Sequence, residues 1–161
     1  MTPVHTVVSG GQVGADIAGL RAAKALGLAT GGWGTKGFRI KGGRNPELGS
    51  VYGLREHQSE QYPPRTQANV RDSDGTMRLA FDFSSRGELC TIKAVRDYGR
   101  PCFDVLIKHN EFMGYYITKD PEEAAGWLRR NNIQRLNIAG NANPDIEPCV
   151  EEFLTRVLRG A

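Results

Sequence analysis

The run Val7-Val8-Ser9-Gly10-Gly11-Gln12-Val13-Gly14-Ala15-Asp16 constrains this chain more than any other stretch. Apolar residues (Val4, Val7, Val8) give way to a glycine turn, and a helix pattern begins at once. Adjacent glycines have no Cβ to keep a ligand away from the backbone. The helix aims its unpaired N–H groups and the positive end of its dipole at the same spot. Strand, glycine loop and helix start together predict an anion site, most often one for phosphate. A plain strand-to-helix turn is the competing reading, because the spacing is neither G-x-G-x-x-G nor a phosphate loop with its Lys and Ser/Thr.

Downstream, strand and helix patterns alternate. A first helix over 15–26 is rich in alanine and stops at Gly27, a left-handed cap. A short strand over 28–33 leads into Gly31-Gly32-Trp33-Gly34-Thr35-Lys36-Gly37. From there to about residue 64 the chain is basic and glycine-rich with little periodicity, which predicts a loop or lid beside the glycine site. Arg65–Val70 suits a short helix, and Asp72-Ser73-Asp74-Gly75 is a turn signal. Thr76–Phe83 alternates as a half-buried strand does. Ser84-Ser85-Arg86-Gly87 then opens a helix over 88–98, a second anion-ready start. A strand follows over 101–107, with an edge strand over 112–117. Asp120-Pro121-Glu122-Glu123 is a strong helix start, with Asp at the cap, Pro at the first position and Glu at the third. Arg135–Gly140 is the last strand. The final helix places Val150, Phe153, Leu154, Val157 and Leu158 on one face.

This alternation implies an α/β fold: a Rossmann-like, doubly wound, mostly parallel sheet flanked by helices, as a single domain over residues 1–161. Ligands of such sheets lie beyond the carboxyl ends of the strands. Three loops leave those ends with small or polar residues: Ser9–Gly14, Ser84–Gly87 and Gly140–Asn143. Their convergence is the expectation that favours phosphate over a plain turn.

With 161 residues and a formal charge of +3 distributed among acids, the chain fits one globular domain and gives no case for nucleic acid. No apolar run reaches the ~20 residues of a membrane span, and no leader pattern opens the sequence, so the cytoplasm is expected. Cys90, Cys102 and Cys149 are far apart and the three histidines are scattered. That spacing predicts reduced thiols and no protein-ligated metal. Asp72 and Asp74 alone supply too few oxygens for a hard cation.

Several of these motifs resemble one family in combination. They are Ser9–Asp16, Gly31–Gly37, Tyr52-Gly53-Leu54-Arg55-Glu56, Tyr62 with Arg65-Thr66, Asn69–Thr76 and Leu136-Asn137-Ile138-Ala139-Gly140. The chain resembles the "putative molybdenum carrier" proteins over nearly its whole length. That family is similar to the molybdenum cofactor carriers and sits in the Rossmann-like group of the lysine-decarboxylase-like (LOG) phosphoribohydrolases. The resemblance implies a homo-oligomer (dimer or tetramer) carrying a molybdopterin-type molybdenum cofactor by its phosphate and polar edges. Matching ligand residues are Ser9, Gly10, Gly11, Gln12, Gly14, Asp16, Trp33, Thr35, Lys36, Gly37, Arg65, Thr66, Asn69, Asp72 and Ser73. Ser84, Ser85, Gly87, Thr91, Gly140 and Asn141 complete the set. In that cofactor the dithiolene holds the metal, so no His/Cys cage is needed, and N–H, hydroxyl and Lys/Arg donors suit its anionic groups.

Two departures stand out. Where the family reads Gly-Gly-Thr-x-x-Thr, this chain has Arg86-Gly87-Glu88-Leu89-Cys90-Thr91, which puts a carboxylate beside the expected anion. The loop Gly140–Pro144 lacks the family's arginine and serine. The related hydrolases use a glutamate where Thr91 stands, which favours binding over catalysis. A nucleotide-binding or nucleotide-hydrolysing enzyme, or a sensor of NAD- or ADP-ribose-like ligands, is the alternative, with Asp72, Asp74 or Glu88 as the substitute acid.

Overall fold

The computed structural model describes residues 3–161. Strand β1 (Thr6–Val8) runs through the glycine turn into helix α1 (Ala15–Ala25), which starts directly after Gly14. Ala15, Ala18, Ala22 and Ala23 of α1 are buried, so the helix lies close on the sheet. Strand β2 (Ala29–Gly31) returns alongside β1.

Residues 33–60 are not the featureless loop that weak periodicity predicts. They form β3 (Trp33–Gly34), a 3-10 turn at Lys36–Phe38, β4 (Arg39–Ile40), β5 (Gly43–Arg44), α2 (Glu47–Ser50) and β6 (Arg55–Glu56). β3 pairs with β6, and β4 with β5. Leu48 and Leu54 hold this excursion against Ile17 and Leu20 of α1, with Phe38, Ile40 and Tyr52 packed around them. These anchors are too widely spaced in sequence to register as a period.

Helix α3 (Tyr62–Arg71) starts before its two prolines rather than after them, because Pro in the first turn gives up only N–H groups that have no helical partner. Then come β7 (Gly75–Ala80), α4 (Arg86–Tyr98), β8 (Cys102–Asn110), β9 (Gly114–Ile117), α5 (Pro121–Arg130), β10 (Arg135–Gly140) and α6 (Glu147–Gly160). Asp120 caps α5 by accepting from the Glu122 N–H at 2.9 Å.

The main sheet has the order β2-β1-β10-β7-β8-β9, parallel except for the antiparallel edge strand β9. The last parallel strand therefore sits in the middle. If β10 and α6 were moved ahead of β1, the parallel strands would read 3-2-1-4-5, the ordinary doubly wound order. The topology is a circular permutation of that fold.

The two faces of the sheet differ. Met77, Leu79, Val105, Ile107, Leu136 and Ile138 share the main core with α1, α5 and α6. Thr76, Arg78 and Asn137 alternate with them and are buried on the opposite face, where Arg78 donates to the Glu88 carbonyl of α4. β7 is thus buried throughout rather than half-buried, and it ends at Ala80, short of Phe83. Its alternation marks a polar interior face.

Candidate functional site

A cleft of about 680 Å³ opens on that polar face, beyond the carboxyl ends of β1, β10 and β7. Gly10, Gln12 and Asp16 come to it from the first loop, and Ser85, Gly87, Glu88 and Thr91 from the start of α4. Gly140, Asn141 and Asn143 come from the loop after β10, and Arg65, Thr66 and Asn69 from α3. The three loops and α3 therefore meet at one cleft, at the point where the strand order reverses.

The amides of the glycine loop are already engaged. Gln12 N–H donates to the Asp16 carboxylate at 3.3 Å, Gly11 N–H to Ser9 Oγ at 3.2 Å, and Val13 N–H to Gln12 Oε1 at 3.0 Å. Gly14 N–H donates to Glu147 of α6 at 2.9 Å, and Ala15 N–H to the Asn141 carbonyl at 3.2 Å. Gly14 has φ +95°, and a Cβ there would run into the Asn141 carbonyl and lie 2.7 Å from Asn143 N. This turn packs loop on loop. Burial raises the Asp16 pKa, against the opposing pull of Arg65 and the Gln12 and Gly10 amides.

Arg65 is different. It is 9% exposed, and its Nε has no partner. Nη1 donates to Thr66 Oγ1 at 2.6 Å, while Nη2 lies 3.9 Å from Asp16, beyond hydrogen-bond reach. On the Nε/Nη2 edge, the one that grips oxyanions, Nε is thus a buried donor without a hydrogen-bond partner among the described residues, and Nη2 keeps a long ion pair with Asp16. In Arg78 the same edge is filled by Asp104 at 2.8 and 2.6 Å. Gly10 makes room for the Arg65 fork, since a Cβ there would lie 2.6 Å from Nε.

Glu88 is the other exceptional group. Ser85-x-x-Glu88 has the pattern of a capping box, and Ser85 Oγ accepts from the Glu88 N–H at 3.4 Å. No reciprocal bond to Ser85 N–H is formed among the described residues. The carboxyl is instead buried, 2% exposed, with Oε1 unpartnered. Desolvation pushes its pKa up to about 7 against the pull of Arg78, with Asp16, Asp104 and Asp82 adding to the rise.

Other expected residues stand away from the cleft. Ser9 is fully buried and bonds the Asp16 carbonyl. Gly11 packs on Leu48. Trp33 donates through its ring N–H to Asp72, beneath the Arg55 guanidinium. Thr35 bonds the Arg39 carbonyl, Lys36 is exposed, and Gly37 N–H is taken by Glu56. Asp72, Ser73 and Asp74 precede β7 and so lie at the amino ends of the strands, the opposite rim. The Arg71 guanidinium beside Asp72 holds its carboxyl down to about 2, and Asp74 pins the start of β10 by accepting from Gln134 and Arg135 N–H. Ser84 binds Asp82 and does not line the cleft. Within the lining, Asn69 and Asn141 spend their amides on the Trp33 backbone and the Phe81–Asp82 backbone.

Sequence reasoning passed over Lys41, Tyr62, Phe81, Asp82, Arg86 and Asn137, which also line the cleft. Lys41 reaches it because its N–H donates to Gln12 Oε1 at 2.8 Å, which draws the β4–β5 turn over the mouth. A basic residue at a glycine turn (Lys41-Gly42-Gly43) was the available signal. Among the described residues no group of three or more His, Cys, Asp or Glu could hold a metal, and no helix is long and apolar enough to cross a membrane.

Fold and cleft together define a circularly permuted, Rossmann-like α/β protein with a cleft at the strand-order reversal. The chain belongs to the circularly permutated YpsA SLOG family, whose profile matches residues 7–158. It is similar to the crystal structure of a "putative molybdenum carrier protein" from Syntrophus aciditrophicus, at 32% identity and a TM-score of 0.81. That match covers 96% of this chain and 94% of the other. A search of the curated proteins finds no match.

Proposed function

We propose that this protein is a carrier that holds a phosphate-bearing small molecule of the molybdenum-cofactor kind in the cleft. The observation that carries the reading is Arg65 in the cleft wall, whose buried Nε has no hydrogen-bond partner among the described residues while Nη2 stands 3.9 Å from Asp16. Buried polar groups are normally paired, so a vacant one in a cleft calls for a ligand oxyanion. The exposed Arg86 and Gly87 at the start of α4, and Lys41 across the mouth, add positive potential at the same place. A molybdopterin-type cofactor fits this donor set: its phosphate suits Arg65 and the α4 start, and its own dithiolene holds the metal. The name of the similar protein supports the same cargo. Cytoplasmic residence and a homo-oligomeric state belong to this proposal, and light scattering of the purified protein tests the latter.

Calorimetry with the cofactor should show saturable binding, weakened about tenfold or more in Arg65→Lys, which keeps the charge but loses the fork. No saturable heat from the cofactor or from any nucleotide monophosphate would end the reading.

A second reading is favoured by one observation, the Glu88 carboxyl whose pKa of about 7 suits proton transfer at neutral pH. On that reading the protein hydrolyses a nucleotide of AMP, ADP-ribose or NAD type. Chromatography of such a panel should show a product that disappears in Glu88→Gln, and no product from any member removes the enzyme.

A further inference from the structure

Among the described residues two buried side-chain atoms lack a partner, Arg65 Nε and Glu88 Oε1, and both residues line the same cleft. One is a donor and the other an acceptor. A bare oxyanion answers only the first and is repelled by an ionised second. The occupant must therefore carry N–H or O–H donors as well as its anion.

We propose that Glu88 determines specificity by reading the paired N–H donors of a 2-amino-4-oxopyrimidine edge, the edge shared by guanine and pterin rings. The cleft then takes a phosphate ester of such a ring and turns away adenine. This rests on the phosphate reading above, with Arg65 holding the anion. A carboxylate offers two acceptors side by side, and the ring N–H with its neighbouring amino group offers two parallel donors. Adenine sets a ring lone pair against one of those oxygens, which leaves the carboxylate unsatisfied in a buried place. Tyr62, Pro63 and Phe81 give the cleft apolar walls that suit a flat ring better than a polyol.

Titration of the acid supports the assignment. Arg78 from β7 favours the ionised carboxylate, while Asp16 from α1, Asp104 from β8 and Asp82 after β7 oppose it. A ligand donor pair adds to the side of Arg78, so binding of a guanine-type ring releases a proton near neutrality.

The test is calorimetry with guanosine monophosphate, adenosine monophosphate, 6-hydroxymethylpterin phosphate and inorganic phosphate. Wild type should bind the guanine or pterin ester at least about tenfold more tightly than the adenine ester, the factor expected for a buried bond left unmade. Comparing guanine with pterin identifies the source of the ring. In Glu88→Gln, whose amide presents one donor and one acceptor, the preference should vanish or invert. In wild type the guanine or pterin affinity should rise more steeply than the adenine affinity between about pH 6 and about pH 8, the phosphate's own ionisation being common to all the esters, a readout independent of any variant. Equal binding of all three rings by wild type, or a ratio unchanged in Glu88→Gln, overturns the role of Glu88 and leaves the phosphate reading standing. If no ester binds and inorganic phosphate gives no heat, both fall.

Discussion

A buried carboxyl with a free oxygen has a signature in stability as well as in binding. The Glu88 pKa rises from 4.5 to about 7 on folding, so the native state holds a proton that the unfolded chain releases. Stability is greatest below about pH 4.5 on this account and falls as pH rises through the window to about 7, by on the order of 3 kcal/mol. Glu88→Gln removes that loss: urea denaturation should find it close to wild type at about pH 4.5 and more stable at about pH 8. A variant less stable than wild type at both would show that the carboxylate has a partner. At Gly10 the added methyl of Gly10→Ala collides with the Arg65 guanidinium. It should weaken binding of a phosphate ester about as much as Arg65→Lys does, while the circular dichroism spectrum is kept. Arg65→Ala is the harsher change, because it leaves Asp16 buried without its nearest cation.

Elements with complete local signals behave as their sequences say. The cap and proline of α5 predict its start, and Asp120→Ala should cost about 1 kcal/mol in chemical denaturation without altering ligand affinity. The apolar spacing of α6 predicts the buried set Val150, Phe153, Leu154, Val157 and Leu158. The β4–β5 turn is tied to the cleft through Gln12, so Gln12→Ala should speed proteolytic nicking near Lys41–Gly43, read by mass spectrometry of the fragments. Sequence fails where a partner comes from far along the chain. The glycine loop reads as an anion cup, yet the donor at Gly14 is taken by Glu147, 133 residues on. Trp33, Lys36 and Asp72 share glycine-rich or turn surroundings that look like ligand loops, and nothing local reveals that Trp33 and Asp72 bond to each other or that Lys36 points to solvent. Alternation in β7 predicts one face open to water, because a polar face covered by α4 has the same pattern. Of the expected ligand residues, those on α3 and α4 reach the cleft and none of those between Trp33 and Gly37 does.

At the scale of the molecule, the alternation of strands and helices was enough for the fold class, while the strand order was not legible, because pairing of β10 between β1 and β7 is a long-range choice. The permuted order gives a test. A chain beginning at the connection before β10, with the end of α6 joined to β1 by about 4–6 linking residues, should melt cooperatively and bind the same ester. A molten product would mean that the present order of synthesis matters to the fold. The central position of the last strand also has a temporal meaning. Until residues 135–140 emerge from the ribosome, β1 and β7 have no shared neighbour, and one wall of the cleft, Asn137 to Asn143, does not yet exist. On the proposed function a ligand can be held only once residues 137–143 have emerged, and nascent chains stopped short of that strand should expose bare sheet edges to chaperones while retaining no ligand.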